Sequence, residues 1–185
     1  MHPGVTYSTV AFAVRFTLSI AADTPDNTWL SSSTGLVRQV HVGIPAEEGL
    51  GMTFYVPTGG FDASASPAPM PTDFRTWLTS DPQLQVIATK QTRVGGLPAA
   101  RLEVAADPSK IPTPAGRCPV GSSCVLVAST APDAPLRPLL VFPGDPAVVY
   151  VVNLPNGSQL LINLDAGGTL TESDALLQTL QFVAP

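Results

Sequence analysis

Histidine and cysteine are nearly missing from this sequence. Its 185 residues hold two histidines, His2 and His41, and two cysteines, Cys118 and Cys124. Charge is scarce too, at 12% of residues, about half the usual share of roughly 25%. A structural zinc site wants four ligands, and no histidine or further cysteine accompanies the cysteine pair in the sequence. There is no Asp-x-Asp-x-Asp-Gly calcium loop, no phosphate-binding glycine loop, no Gly-x-Gly-x-x-Gly and no Gly-x-Ser-x-Gly elbow. The sequence therefore offers no catalytic, cofactor-binding or metal-ligating residues. No apolar run reaches about 18 residues, so no segment reads as a membrane-spanning helix.

The cations are few and scattered. Arg15, Arg38, Arg75, Lys90, Arg93, Arg101, Lys110, Arg117 and Arg137 are spread along a chain of net charge −5. Phosphate recognition needs clustered cations, so nucleic acid is excluded as the expected partner. An anionic membrane surface has no more support. Only four glutamates occur, and Glu47-Glu48 sits in a turn, where adjacent acids form a solvated surface. Asp62, Asp145 and Asp165 fall in loops or at strand ends. A paired-carboxylate hydrolase therefore has no evident acid pair.

What is abundant is proline, glycine and apolar residues: 20 Pro, 15 Gly and 44% hydrophobic residues. Prolines fall between apolar runs, where a β protein places turns and edges. The apolar content supplies a core for one ordinary domain. Residues 1–6 read as a cloning remnant or linker, with no basic n-region of a signal peptide. Residues 7–185 read as a single exported domain.

The cysteines lie in Arg-Cys-Pro-Val-Gly-Ser-Ser-Cys-Val, with five residues between them. Gly121, Ser122 and Ser123 let this loop fold back to bridging distance. The spacing is too long for the usual redox pair. A structural Cys118–Cys124 disulfide follows, worth about 2 kcal/mol on a chain-entropy argument. It implies an oxidising compartment and an extracellular or cell-envelope location.

Alternation is cleanest from Tyr7 to Ile20, with Phe12, Val14, Phe16, Leu18 and Ile20 on one face. Further strands are predicted over Val37–Ile44, Met52–Val56, Gln83–Val94, Leu97–Ala105, Cys124–Ser129 and Leu136–Phe142. Gly95-Gly96 marks a tight reversal. Gly59–Pro71 reads as a loop. Its part from Phe61 to Met70 and the loop Asp107–Arg117 are expected to flank a groove. Asn156-Gly157 is the preferred pair for a two-residue type I′ hairpin. That turn would oppose Val151 to Ile162 and Val149 to Leu164, with apolar residues on both faces. Asn156-Gly157-Ser158 also matches a glycosylation sequon, although turn geometry explains it. A helix is predicted from Thr72, with Phe74, Trp77 and Leu78 on its packed face. A second is predicted with Thr171 as cap, Asp174 in the reciprocal position and Leu176, Leu177 and Leu180 buried. His41 alternates with Gln39 and Gly43 on the polar side of its strand, with no partner evident for a hydrolytic triad.

The fold class expected is α+β: an antiparallel sheet flanked by two or three short helices, with an all-β sandwich as the alternative. The element order, with Tyr7-Ser8-Thr9-Val10-Ala11-Phe12, Trp77-Leu78, Val94-Gly95-Gly96-Leu97-Pro98-Ala99 and Ala175 to Phe182, resembles exported actinobacterial domains of the PsbP/Mog1-like fold. Lipoproteins of the LpqN type are among them. The resemblance implies an α/β/α sandwich with no catalytic signature, a β-like tail after the last helix, and a binding or assembly role outside the cytoplasm. The expected function is a non-catalytic extracytoplasmic domain that binds a protein partner or small-molecule ligand at the cell envelope. Any lipid or membrane anchor would lie outside this chain. A hydrolase with an unrecognised site and a structural or assembly module are the alternatives.

Overall fold

Alternation of Val, Leu and Ile between Pro- and Gly-rich turns gives a protein built mostly of antiparallel strands. The computed structural model describes residues 4–9, 15–19, 30–33, 39–43, 50–62, 64, 66–69, 71–111, 118, 123–129, 139–166 and 170–183. In chain order the strands are β1 Thr6–Thr9, β2 Phe16–Ser19, β3 Leu30–Ser33, β4 Gln39–Gly43, β5 Leu50–Tyr55, β6 Gly59–Phe61 and β7 Pro67–Pro69. Helix α1 (Phe74–Ser80) precedes β8 Leu84–Val94, β9 Leu97–Ala106, β10 Val125–Ser129, β11 Leu139–Val141, β12 Ala147–Asn153 and β13 Gln159–Ala166. Helix α2 (Leu170–Gln178) and β14 Gln181–Phe182 complete the order.

Seven strands form the main sheet, in the order β3-β4-β5-β13-β12-β9-β8. Every residue from Ala147 to Val152 is buried, so both faces of β12 are covered. Val148, Tyr150 and Val152 enter one core cluster with Met52, Phe54, Ile162, Leu176, Leu177 and Leu180. Ala147, Val149 and Val151 enter the other, with Leu102, Leu161, Phe74, Leu78, Val127 and Leu139. One helix therefore contributes to each face. Each face also receives strands of a smaller sheet. Phe16 and Leu18 come from the three-stranded sheet β1-β2-β14, and Val125, Val127 and Val141 from the four-stranded sheet β11-β10-β6-β7. The architecture thus combines features of both expected fold classes.

Several elements differ from the sequence expectation. Tyr7 to Ile20 is not one strand. Thr9 pairs with Phe16 and Thr6 with Ser19, so the chain reverses between them although the alternation never breaks. Phe12 and Val14 lie outside the described residues, as do Glu47 and Glu48. The Gly59–Pro71 stretch contains two short paired strands, Gly60 opposite Ala68. Glycine suits this site because a Cβ at Gly60 would come within 2.9 Å of the Trp77 ring. Helix α1 is capped by Asp73, not Thr72, its carboxylate accepting from Arg75 N at 3.1 Å.

The β12–β13 hairpin is shifted by one residue from its expected register. Tyr150, not Val151, opposes Ile162, and Asn153 opposes Gln159. Leu154 N donates to Ser158 O at 2.9 Å and Gly157 N to Leu154 O at 3.0 Å. This is a three-residue turn with Gly157 at φ +83°, the type I turn plus left-handed residue common in hairpins. Pro155 explains the shift. It is preset for the second position of a type I turn, and it lacks the N–H that a paired position flanking an Asn-Gly turn would use. The shift exchanges the faces of β12 relative to β13. Helix α2 runs from Leu170, so Thr171 lies inside it, and the side chain of the expected Thr171 cap is outside the described residues.

Candidate functional site

Cys118 and Cys124 are joined, with Cα atoms 5.8 Å apart. They are withdrawn from metal or nucleophilic chemistry. Among the described residues no group of three or more His, Cys, Asp or Glu is placed to hold a metal ion. No helix among them is long and apolar enough to cross a membrane.

Four polar positions are gathered by the sheet order alone. Ser32 pairs with His41, His41 with Thr53, and Thr53 with Asn163. This single cross-strand row runs over β3, β4, β5 and β13. The row continues into Val149 and Leu102 of the core. Thr53 and Asn163 are buried, and neither is left without a partner. Two residues along the strands, beyond the row of Val42, Met52 and Leu164, Gly43, Gly51 and Asp165 form another row. The sequence shows His41 without a partner. Its backbone neighbours Ser32 and Thr53 come from β3 and β5, the strands just before and after β4, and Asn163 joins the row from a distant strand.

A second polar group lies on the α2 face of the sheet. The Tyr150 hydroxyl donates to Asp174 Oδ1 at 2.7 Å, tying strand to helix. Burial pushes the Tyr150 phenol up to about 12, and the neighbouring Asp174 carboxylate adds to the shift while Arg101 opposes it. Arg101 stands opposite Tyr150 on β9 and lies 3.6 Å from Glu103. Asp174 is thus the acceptor that holds the helix to the sheet.

The aspartates of the loops are used for closure. Asp62 Oδ1 accepts from the Ser64 hydroxyl at 2.6 Å and from the Ser64 and Ser66 amides. These bonds hold its carboxyl below the usual range. Asp107 accepts from the Ser109 hydroxyl at 2.6 Å and pairs with Lys110 at 3.0 Å, which lowers its carboxyl to about 2. Phe61 is buried, so the expected groove between these loops does not offer it as an apolar contact. Residues 112–117 lie outside the described residues. Asn156 Oδ1 accepts from Ser158 N and Oγ, at 3.1 and 2.7 Å, which is the turn role its sequence predicts.

Strand β8 is exposed over most of its length. It is an edge of the main sheet, paired on one side with β9. Gln85, Ile87, Ala88, Thr89, Lys90, Gln91 and Arg93 are all exposed. Its register shifts between Val86 and Ala88, leaving Ile87 at the bulge with 49% of its surface exposed. From Ala88 to Val94 the ladder is regular. Lys90 stands directly opposite Arg101, and Arg93 opposite Pro98. Among the described residues no carboxylate reaches Lys90 or Arg93, and Arg93 Nε donates to Gly96 O at 3.1 Å.

Fold and surface together define a disulfide-bearing antiparallel domain with a long uncovered edge strand and no assembled metal centre among the described residues. No family model matches the sequence, and no curated protein matches it. Among solved structures, the solution structure of cyanobacterial PsbP (CyanoP) from Synechocystis sp. PCC 6803 is similar at a TM-score of 0.46 and 10% identity, over 97% of this chain and 92% of that one.

Proposed function

We propose that this is a non-catalytic extracytoplasmic domain that binds a protein partner at the cell envelope. The observation that carries this reading is β8. A long strand exposed along its outer edge presents a row of backbone donors and acceptors ready for another chain. The Cys118–Cys124 disulfide supports an oxidising compartment. The sequence resemblance to exported actinobacterial domains of the LpqN type belongs to the same reading, as does an anchor outside this chain.

Two measurements test it. Thiol trapping in the producing cell should find Cys118 and Cys124 oxidised; a reduced pair would remove the extracytoplasmic assignment. Photo-crosslinking residues at Gln91, Thr79 and Asn156, all exposed, should give at least one saturable adduct competed by unlabelled domain. No competed adduct from any position would end the binding role.

The Ser32–His41 juxtaposition favours a second reading, a serine hydrolase centred on the polar row. A fluorophosphonate probe separates the two. Labelling of Ser32 that is lost in His41→Ala would replace the non-catalytic reading. An unlabelled protein would retain it.

A further inference from the structure

We infer that the outer edge of β8 accepts an extended acidic peptide as an added strand, with carboxylates placed three residues apart to meet Lys90 and Arg93. This rests on the binding role proposed above and names the chemistry of the partner.

Four observations lead there. First, the regular ladder from Ala88 to Val94 has β9 on one side and exposed residues along its length, so a partner can pair without displacing any part of the described fold. Second, the strand contains two cations and no acid, in a chain of net charge −5. Third, Lys90 faces Arg101 directly across the ladder, and like charges so placed repel. Arg101 has Glu103 at 3.6 Å, whereas no described carboxylate answers Lys90. Fourth, Ile87 is one of three large apolar side chains exposed among the described residues, and it marks the end of the regular ladder.

Lysine and a bulge on an edge strand are also the devices by which proteins prevent edge-to-edge pairing. The two roles are compatible. A second copy of β8 would bring one positive strip against another, so the charges select against self-pairing. The same charges favour a strand of opposite sign. Side chains alternate between sheet faces, so Lys90 and Arg93, three apart, lie on opposite faces. A partner strand must therefore carry its acids at the same odd spacing. Two acids two residues apart would share one face and leave one cation unanswered.

The test uses the full chain and fluorescein-labelled peptides of valine and threonine. One carries two glutamates three residues apart and the second carries them two apart. The third has lysines in place of the first peptide's glutamates, and the fourth is the first peptide with a central proline pair. Fluorescence anisotropy should show the first binding about tenfold or more tightly than the others, weakening as salt screens the exposed charges. Amide exchange should slow from Ala88 to Val94. The Lys90→Glu, Arg93→Glu double variant should prefer the lysine peptide, a gain that an unfolded protein would not give. Equal binding of the proline peptide, protection elsewhere, self-association through β8 or no binding at all would each overturn the proposal. If no peptide binds while photo-crosslinking still yields a competed partner, the acidic-strand assignment fails and the binding role stands.

Discussion

At the scale of single residues, Tyr150 holds together a strand and a helix through one hydroxyl. Its phenol is pushed up to about 12 from an ordinary 10.0, first by burial and then by Asp174. A folded-state value above the unfolded one means that its contribution to stability is complete below about pH 10 and is lost as pH rises towards 12. Tyr150→Phe should cost about 1 kcal/mol at neutral pH. It should also remove this part of the alkaline decline, as denaturant titrations of both proteins between pH 8 and 11 would reveal. Gly95 and Gly96 make a second comparison. Both have positive φ, +55° and +83°, but a Cβ on Gly95 would meet Phe182 at 2.6 Å and Leu180 at 2.8 Å, while Gly96 has open space. Gly96→Ala should cost about 1 kcal/mol from backbone strain, and Gly95→Ala clearly more; equal chemical-denaturation midpoints would refute the packing argument. The turn and the cysteine pair are legible in the sequence because Gly-Gly and a seven-residue Cys loop are local signals. The Tyr150–Asp174 bond is not, because it joins a strand and a helix that no local period connects.

At the scale of elements, composition misleads where proline and glycine do more than break structure. The Gly59–Pro71 stretch reads as loop, yet β6 and β7 pair within it, and the Trp77 ring lies against the bare Cα of Gly60. The hairpin β12–β13 is evident from its apolar runs, but Pro155 fixes the turn type and hence which faces meet. Helix α1 has a further support that the sequence does not announce. Phe74 N donates to Gln159 Oε1 at 2.8 Å, and Gln159 Nε2 donates to Asn153 Oδ1 at 2.9 Å. The end of the hairpin thus helps Asp73 cap a helix that lies far from it in sequence. Gln159→Ala should lower stability by about 1 kcal/mol and speed amide exchange at Phe74, while exchange in the centre of β12 keeps its protection. Unchanged exchange at Phe74 would show that Asp73 suffices alone.

At the scale of the molecule, the order of strands is the least legible property, because β5 finds β13 across more than a hundred residues. The polar row through His41 shares that fate: its members become neighbours only when the sheet is assembled. The two core clusters share the strands between them, so they should not unfold separately. Leu102→Ala in one cluster and Ile162→Ala in the other should each cost about 2–5 kcal/mol. Each should lower the midpoint of one common transition, and a melt that divides in two would count against this coupling. The small sheet β1-β2-β14 extends the point to biosynthesis. Gln181 pairs with Thr17, and Ser19 N donates to the Thr179 hydroxyl, 160 residues away. Closing so long a loop is slow, and β14 leaves the ribosome long after β2. A nascent chain therefore lacks one strand of this sheet until β14 is made, and β1 and β2 wait unfinished through the synthesis of everything between.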